Sequence, residues 1–233
     1  MPRSWKDPLA ALLFLSGCAT GDRTTVTGRG PHPFTQFDQN VFHDTLLVQT
    51  SFDLGDGTFV MVASHVEDTF EGLRLYRYAF APDSSVDVRA ISAPGYDSWT
   101  LLPTFFPVDS AHVHGPLWVL ANMGEKESWG QKVMALDSGF RDIGFMDMAY
   151  PERVMEDDTL RLKRRSIAPY LRLQQQGDTA FWGIACDSVY LYDDLQGHQD
   201  VVLAAQRVRY FTTRDGHTAL EIDGQLIPYP PLP

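Results

Sequence analysis

The chain has 233 residues, of which 44% are hydrophobic and 21% charged, so it allows one large domain or two small ones with a sizeable core. The formal net charge is -11 at pH 7, with 19 basic residues against 30 acidic ones. This balance argues against a nucleic-acid-binding protein and against a body that adheres electrostatically to anionic lipid. Two cysteines exclude a disulfide-dense scaffold.

The amino terminus has the pattern of a cleaved export signal. Two basic residues in the first six precede the mostly apolar residues 8–17, a run too short to span a bilayer as a helix. The run ends in Leu15-Ser16-Gly17-Cys18, which resembles the lipobox of bacterial lipoprotein precursors. The resemblance implies cleavage before Cys18, lipidation of its sulfur and a membrane anchor without a transmembrane helix. The alternative is a short buried apolar segment with a chance cysteine.

On this resemblance, residues 1–17 are a lipoprotein signal peptide. Cys18 is followed by Ala19 rather than Asp. In enterobacterial lipoproteins Asp at that position favours retention in the inner membrane, so the resemblance favours the outer membrane, with the body on its periplasmic or cell-surface side. Residues 18–33 are rich in Gly, Thr and Pro and are predicted to form a flexible tether. Residues 34–233 are predicted to form a single domain.

Strand-forming runs dominate this predicted domain. Runs of β-branched, aromatic and aliphatic residues alternate with turn-forming clusters, and Asp-Gly dipeptides at 56–57, 215–216 and 223–224 predict hairpin turns. The best helical candidate, residues 152–165, lacks an apolar stripe of helical period. The body is therefore predicted to be all-β. The predicted strands include residues 45–50, 58–63, 73–78, 117–121, 132–136, 181–185 and 189–192.

Two stretches of the chain align with each other. Trp118 and Trp182 lie 64 positions apart in similar apolar runs, and residues 133–137 match residues 189–193 at an offset of 56. Three or four such units of about 60 residues predict a propeller-like array of three to four small antiparallel sheets. A β-sandwich or an irregular barrel is the alternative.

Catalytic and cofactor motifs are absent from the sequence, so no catalytic residue and no cofactor is predicted. Cys186 lies in an apolar run and is expected to be a buried, inert thiol. His112 and His114 would share a face of a strand and could together reach one divalent metal, with Asp109 or His65 completing the site. A histidine pair on a loop with nothing bound explains the same residues.

Two features indicate contact with a partner. Trp129 lies in a polar turn, where burial in a core is difficult, and tryptophan contributes strongly to interfaces. The single basic cluster, Arg161, Lys163, Arg164 and Arg165, could dock an acidic partner or a lipid headgroup. Neutralisation by the acidic residues that precede the cluster is the simpler explanation.

These features favour a non-enzymatic, lipid-anchored β-domain that binds or scaffolds another protein. Its expected contacts are the membrane, through the anchor, and a protein partner. The rival hypothesis is an exported hydrolase or lyase acting on glycans, because paired carboxylates carry no sequence signature. A carbohydrate-binding module that uses Trp129 is a third possibility.

Overall fold

A computed structural model describes residues 26–37, 45–66, 72–93, 101–109, 111–124, 126–192 and 200–228. Within these ranges the chain forms eighteen strands in four antiparallel sheets, none of which closes into a barrel. Two one-turn 3-10 helices, Ala168–Tyr170 and Ala205–Arg207, interrupt the strands. The predicted all-β class and the array of small antiparallel sheets are confirmed, and the irregular barrel is wrong.

The first two sheets are formed by strands that are consecutive in the chain. The first sheet contains β1 (Thr35–Phe37), β2 (Leu46–Asp53), β3 (Phe59–His65), β4 (Arg74–Phe80) and β5 (Val86–Ile91). The second sheet contains β6 (Leu101–Pro107), β7 (Leu117–Met123), β8 (Gly130–Leu136) and β9 (Phe140–Met146). Each is an up-and-down meander, which is the simplest arrangement for antiparallel strands with short connections.

The last two sheets are interleaved, because the chain alternates between them. The third sheet has the order β11 (Thr159–Arg165), β10 (Met148–Glu156), β14 (Ser188–Leu191) and β15 (Val201–Ala204). The fourth sheet has the order β12 (Leu171–Gln176), β13 (Thr179–Ile184), β16 (Val208–Thr213), β17 (Thr218–Ile222) and β18 (Gln225–Pro228). The three predicted Asp-Gly turns all connect neighbouring antiparallel strands.

The second sheet is the central layer of the fold, and β7 shows why. Alternate side chains of a strand point to opposite faces. Trp118 and Leu120 enter a core shared with the third and fourth sheets, whereas Leu117 and Val119 enter a core shared with the first sheet. A strand buried on both faces has a continuous apolar sequence, which is what residues 117–121 show.

The internal repeat is confirmed in its first half and wrong in its second half. Trp118 and Trp182 are both fully buried on the second strand of their sheets, and their rings meet edge to face at 6.2 Å. Residues 133–136 pair with the strand of Trp118, but Val189 lies in a different sheet from Trp182. The predicted repeat placed the strands of Trp182 and Val189 in one sheet, but the interleaving of the last two sheets places them in different ones.

Residues 26–33 lie against the body and bridge two sheets. The backbone N–H and C=O of Arg29 bond to those of Leu173 on β12, at 2.9 and 2.8 Å. The backbone N–H of His32 donates to the carbonyl of Phe105 on β6, at 2.8 Å. Since β6 and β12 are edge strands, this segment covers edges that would otherwise be open.

The flexible tether predicted for residues 18–33 is therefore too long. Its second half, residues 26–33, is docked, because backbone hydrogen bonds at two sheet edges offset the entropy of a Gly- and Thr-rich segment. Gly28 permits the docking: its φ is +131°, and a Cβ there would lie 3.0 Å from a carbonyl oxygen of β12. The signal peptide, Cys18 and the first half of the tether lie outside the described residues.

Candidate functional site

The β10–β11 hairpin extends beyond its sheet. Strand β10 pairs with β14 only through Met148 and Ala149, and residues 150–156 then pair with β11 alone. Asp157 and Asp158 form its two-residue turn with φ of 49° and 57°. Two positive φ angles define the type I′ turn, whose twist matches that of a two-stranded ribbon.

One face of this hairpin exposes large apolar side chains. Met155 and Leu160 are directly opposite each other across the two strands, and Leu162 lies on the same face two residues further along β11, opposite the exposed Arg153. Their exposed fractions are 65%, 61% and 47%. Contiguous apolar side chains left in water at the end of a projecting ribbon are typical of an interaction surface.

The opposite face of the hairpin is ion-paired. Arg161 and Lys163 both contact the carboxylate of Glu156, and Arg165 donates to that of Glu152 at 2.7 Å. The hydrogen bond from Lys163 is the main cause of the lowered pKa of Glu156. Contacts between opposite charges on neighbouring strands favour strand pairing. Neutralisation by nearby acidic residues, the simpler explanation of the basic cluster, therefore accounts for Arg161, Lys163 and Arg165.

Arg164 points to the apolar face and fastens the foot of the hairpin to the second sheet. Its backbone N–H and its Nε both donate to Oε2 of Glu127, at 3.0 and 2.8 Å. The N–H of Ser128 donates to its carbonyl oxygen at 2.9 Å. Its guanidinium lies 5.9 Å from the ring centre of Tyr190 and 5.5 Å from that of Tyr192. Arg164 thus joins three segments of the chain.

Glu127 is held in its ionised form by this arrangement. The hydrogen bond from the backbone N–H of Arg164 is the largest cause that lowers its pKa from the ordinary 4.5, and the guanidinium bond adds to it. The hydroxyl of Tyr192 donates to the carbonyl of Ser128, next to Glu127, and burial raises the pKa of this tyrosine. The foot is therefore a charge-assisted network, stronger than a neutral one of the same size.

The structure brings the predicted partner-binding residues together. Trp129 is 37% exposed and follows Ser128, which bonds to Arg164. The predicted exposure of Trp129 is thus confirmed. The sequence did not single out Met155, Leu160 and Leu162. The alternation of Leu160, Arg161 and Leu162 was the available signal, because a period of two indicates a strand with one apolar face.

Strand β11 has an open edge along part of its length. The bonds to Glu127 and Ser128 show that the backbone groups of Arg164 face away from β10. Successive residues of a strand direct their backbone groups to opposite sides. The N–H and C=O of Leu160 and Leu162 therefore also face away from β10. No described residue forms a backbone hydrogen bond with these four groups. An edge of this kind can pair with a further strand.

The two histidines of the predicted metal site contact different parts of the chain. One ring nitrogen of His112 lies 2.6 Å from a carboxylate oxygen of Asp109, whereas Nδ1 of His114 lies 2.7 Å from the carbonyl of Leu54 in the first sheet. The two rings serve separate partners. Within the described ranges no group of three His, Cys, Asp or Glu side chains is placed to hold a metal ion.

A groove of about 900 Å³ lies at the foot of the hairpin. Tyr150 and Tyr170 line it with ring centres 4.5 Å apart, and Glu152 and Asp187 add carboxylates. The thiol of Cys186 also lines the groove and donates to the carbonyl of a nearby strand at 3.2 Å. Burial raises its pKa to about 11, so the thiol stays protonated and is a poor nucleophile. This agrees with the predicted inert thiol, although Cys186 is half-buried and not fully buried as predicted.

Comparisons of the chain with protein-family models, curated proteins and solved structures find no match. The described part of the chain contains no helix of the length and apolar character that crossing a membrane requires.

Proposed function

We propose that the chain is a lipid-anchored β-domain that binds another protein through the β10–β11 hairpin. The observation that carries this proposal is the apolar face of Met155, Leu160 and Leu162 on a ribbon that projects beyond its sheet. A partner that covers this face removes its apolar surface from water. That burial favours binding by about 25 cal/mol per Å² of apolar area.

The enzymatic alternative has less support. A glycosidase of the common type needs one carboxylic acid with a raised pKa. Every described carboxyl group with a clearly shifted pKa is shifted downward, Glu127 and Glu156 among them. In the groove, Glu152 is engaged by Arg165 at 2.7 Å. These contacts suit structural ion pairs better than acid catalysis.

The anchor would place the body close to the membrane. Eight residue steps lead from Cys18 to Val26, the first residue that the structure describes, and a chain of that length spans at most about 28 Å. The lipobox resemblance is the support for the anchor. We expect Cys18→Ala to release the protein from membranes in cell fractionation and to remove the acyl mass from the intact protein. A variant that still fractionates with membranes would contradict the anchor.

The docking surface is tested by site-specific photo-cross-linking in the cells that make the protein. We expect a photoreactive residue at position 160 to give a discrete adduct. The matched control is position 89 on β5, where Arg89 is an exposed residue of another edge strand. Equal adducts at 160 and 89, or none at 160, would refute the hairpin as a docking surface.

A further inference from the structure

We propose that the hairpin binds its partner by antiparallel strand addition, and that the added segment alternates apolar and acidic residues. This inference rests on the proposed function and specifies the chemistry of the same surface. The starting observation is the open edge of β11, where the backbone N–H and C=O of Leu160 and Leu162 face away from β10. Together they offer two donors and two acceptors to an incoming strand.

The edge has a definite length. At one end, Glu127 and Ser128 already occupy the outward backbone groups of Arg164. At the other end, the strand begins at Thr159, directly after the turn. The free stretch is therefore residues 159–163, so the partner contributes about five residues in direct register.

The side chains of β11 determine the pattern of the partner. On one face of the free stretch lie Leu160 and Leu162, beside Met155 of β10. On the other face lie Arg161 and Lys163. Side chains directly opposite each other in neighbouring strands share a face and contact one another. The complementary segment therefore places apolar residues opposite the two leucines and acidic residues opposite the two cations.

The charge of β11 favours this occupant. The strand has four basic residues and no acidic one, in a chain of net charge -11. On the ion-paired face three cations, Arg161, Lys163 and Arg165, share the carboxylates of Glu152 and Glu156. One positive charge remains in excess there, and the Arg161 side chain is 59% exposed. An acidic segment neutralises this excess at the edge itself.

A second copy of the chain fits the edge poorly. Antiparallel self-pairing of the free stretch has its two-fold axis at Arg161, so Arg161 lies opposite Arg161 of the other copy, although Leu160 then lies opposite Leu162. Like charges directly opposite each other are destabilising, and basic residues on edge strands commonly prevent such pairing. The same cations that disfavour self-association favour an acidic strand.

The test uses a fluorescein-labelled nine-residue peptide of alternating Val and Glu, titrated with the full chain in detergent and followed by fluorescence anisotropy. We expect saturable binding, with an affinity at least tenfold weaker for a Val and Lys peptide of the same length. N-methylation of the valines removes the donors that face β11 and should weaken binding at least tenfold. N-methylation of the glutamates modifies the opposite edge of the peptide and should leave binding within twofold.

Variants of the protein provide the second arm. Leu162→Pro removes one outward N–H and keeps the bonds to β10, so it should weaken peptide binding at least tenfold. Arg161→Gln should weaken it about threefold, whereas the control Arg89→Gln should leave it unchanged. Arg89 is 52% exposed and lies 3.6 Å from Asp87, close to the exposure and pairing distance of Arg161.

Several results would overturn strand addition: equal binding of the Val-Glu and Val-Lys peptides, equal effects of the two N-methylated peptides, or no saturable binding. The N-methylated pair keeps the test decisive even if Leu162→Pro fails to fold. If position 160 still gives its specific photo-adduct while the peptide does not bind, the hairpin docks a partner by another mode. In that case strand addition is refuted and the proposed function stands.

Discussion

Arg164→Ala provides a sharp test of how the foot of the hairpin is held. If this arginine only steered a partner, its loss would leave the free energy of unfolding unchanged. The structure places it in contacts within the chain instead: an ion pair with Glu127 at 2.8 Å and two aromatic rings within 6 Å, those of Tyr190 and Tyr192. We therefore expect the substitution to destabilise the domain.

The magnitude follows from these contacts. The ion pair is partly exposed, so its loss costs about 0.5–1 kcal/mol. Each ring contact contributes about 0.5–1 kcal/mol at such a site. The expected loss of unfolding free energy for Arg164→Ala is therefore about 2 kcal/mol. For a chain of this size that corresponds to a fall in Tm of about 4–8 °C.

Urea unfolding followed by tryptophan fluorescence measures the change, with Arg161→Ala as the control on the same strand. Arg161 is 59% exposed and lies 3.8 Å from its carboxylate, so its loss should change the unfolding free energy by less than about 0.5 kcal/mol. A double-mutant cycle with Glu127→Gln should show a coupling near 1 kcal/mol. Equal, small effects of Arg164→Ala and Arg161→Ala would show that Arg164 does not hold the foot of the hairpin.

Three further predictions concern other parts of the structure. Because its folded-state pKa lies below 4.5, Glu127 stabilises the fold fully above that pH, and the advantage of wild type over Glu127→Gln should shrink as the pH falls below 4.5 in acid titrations of stability. Asp158→Gly relieves a φ of 57° in the turn and should slow hydrogen exchange of the hairpin amides up to about fivefold. Trp182→Ala should cost about 3–5 kcal/mol in urea unfolding. Trp182→Phe should cost much less, because no described residue accepts a hydrogen bond from its buried Nε1.

The class of fold was predictable because its signals are local. Residues 117–121 form an uninterrupted apolar run since both faces of β7 are buried, and each Asp-Gly dipeptide lies between two paired strands. The turn at Asp157 and Asp158 was missed for the opposite reason. Asp-Asp adopts two positive φ angles less readily than Asn-Gly, so it gives a weak turn signal, and residues 152–165 remained the best helical candidate.

The arrangement of the third and fourth sheets and the foot of the hairpin were not predictable from patterns. Strand β14 pairs with β10 across about forty residues, and Glu127 meets Arg164 across 37. Such pairings are selected by the packing of whole sheets, and no local spacing marks them. Trp129 and the basic cluster were both identified from the sequence, but their proximity depends on this long-range contact.

The contacts of Arg164 with Glu127 and Ser128 also affect how the open edge could bind a partner. Ordering the backbone of one residue costs about 1–2 kcal/mol, so ordering residues 159–163 on binding would cost about 5–10 kcal/mol. Four backbone hydrogen bonds at about 1 kcal/mol each would not offset that cost. In the folded chain the free stretch is held at one end by the type I′ turn and at the other by Glu127 and Ser128. The protein meets its own share of this ordering cost during folding, so binding has to offset only the ordering of the partner strand.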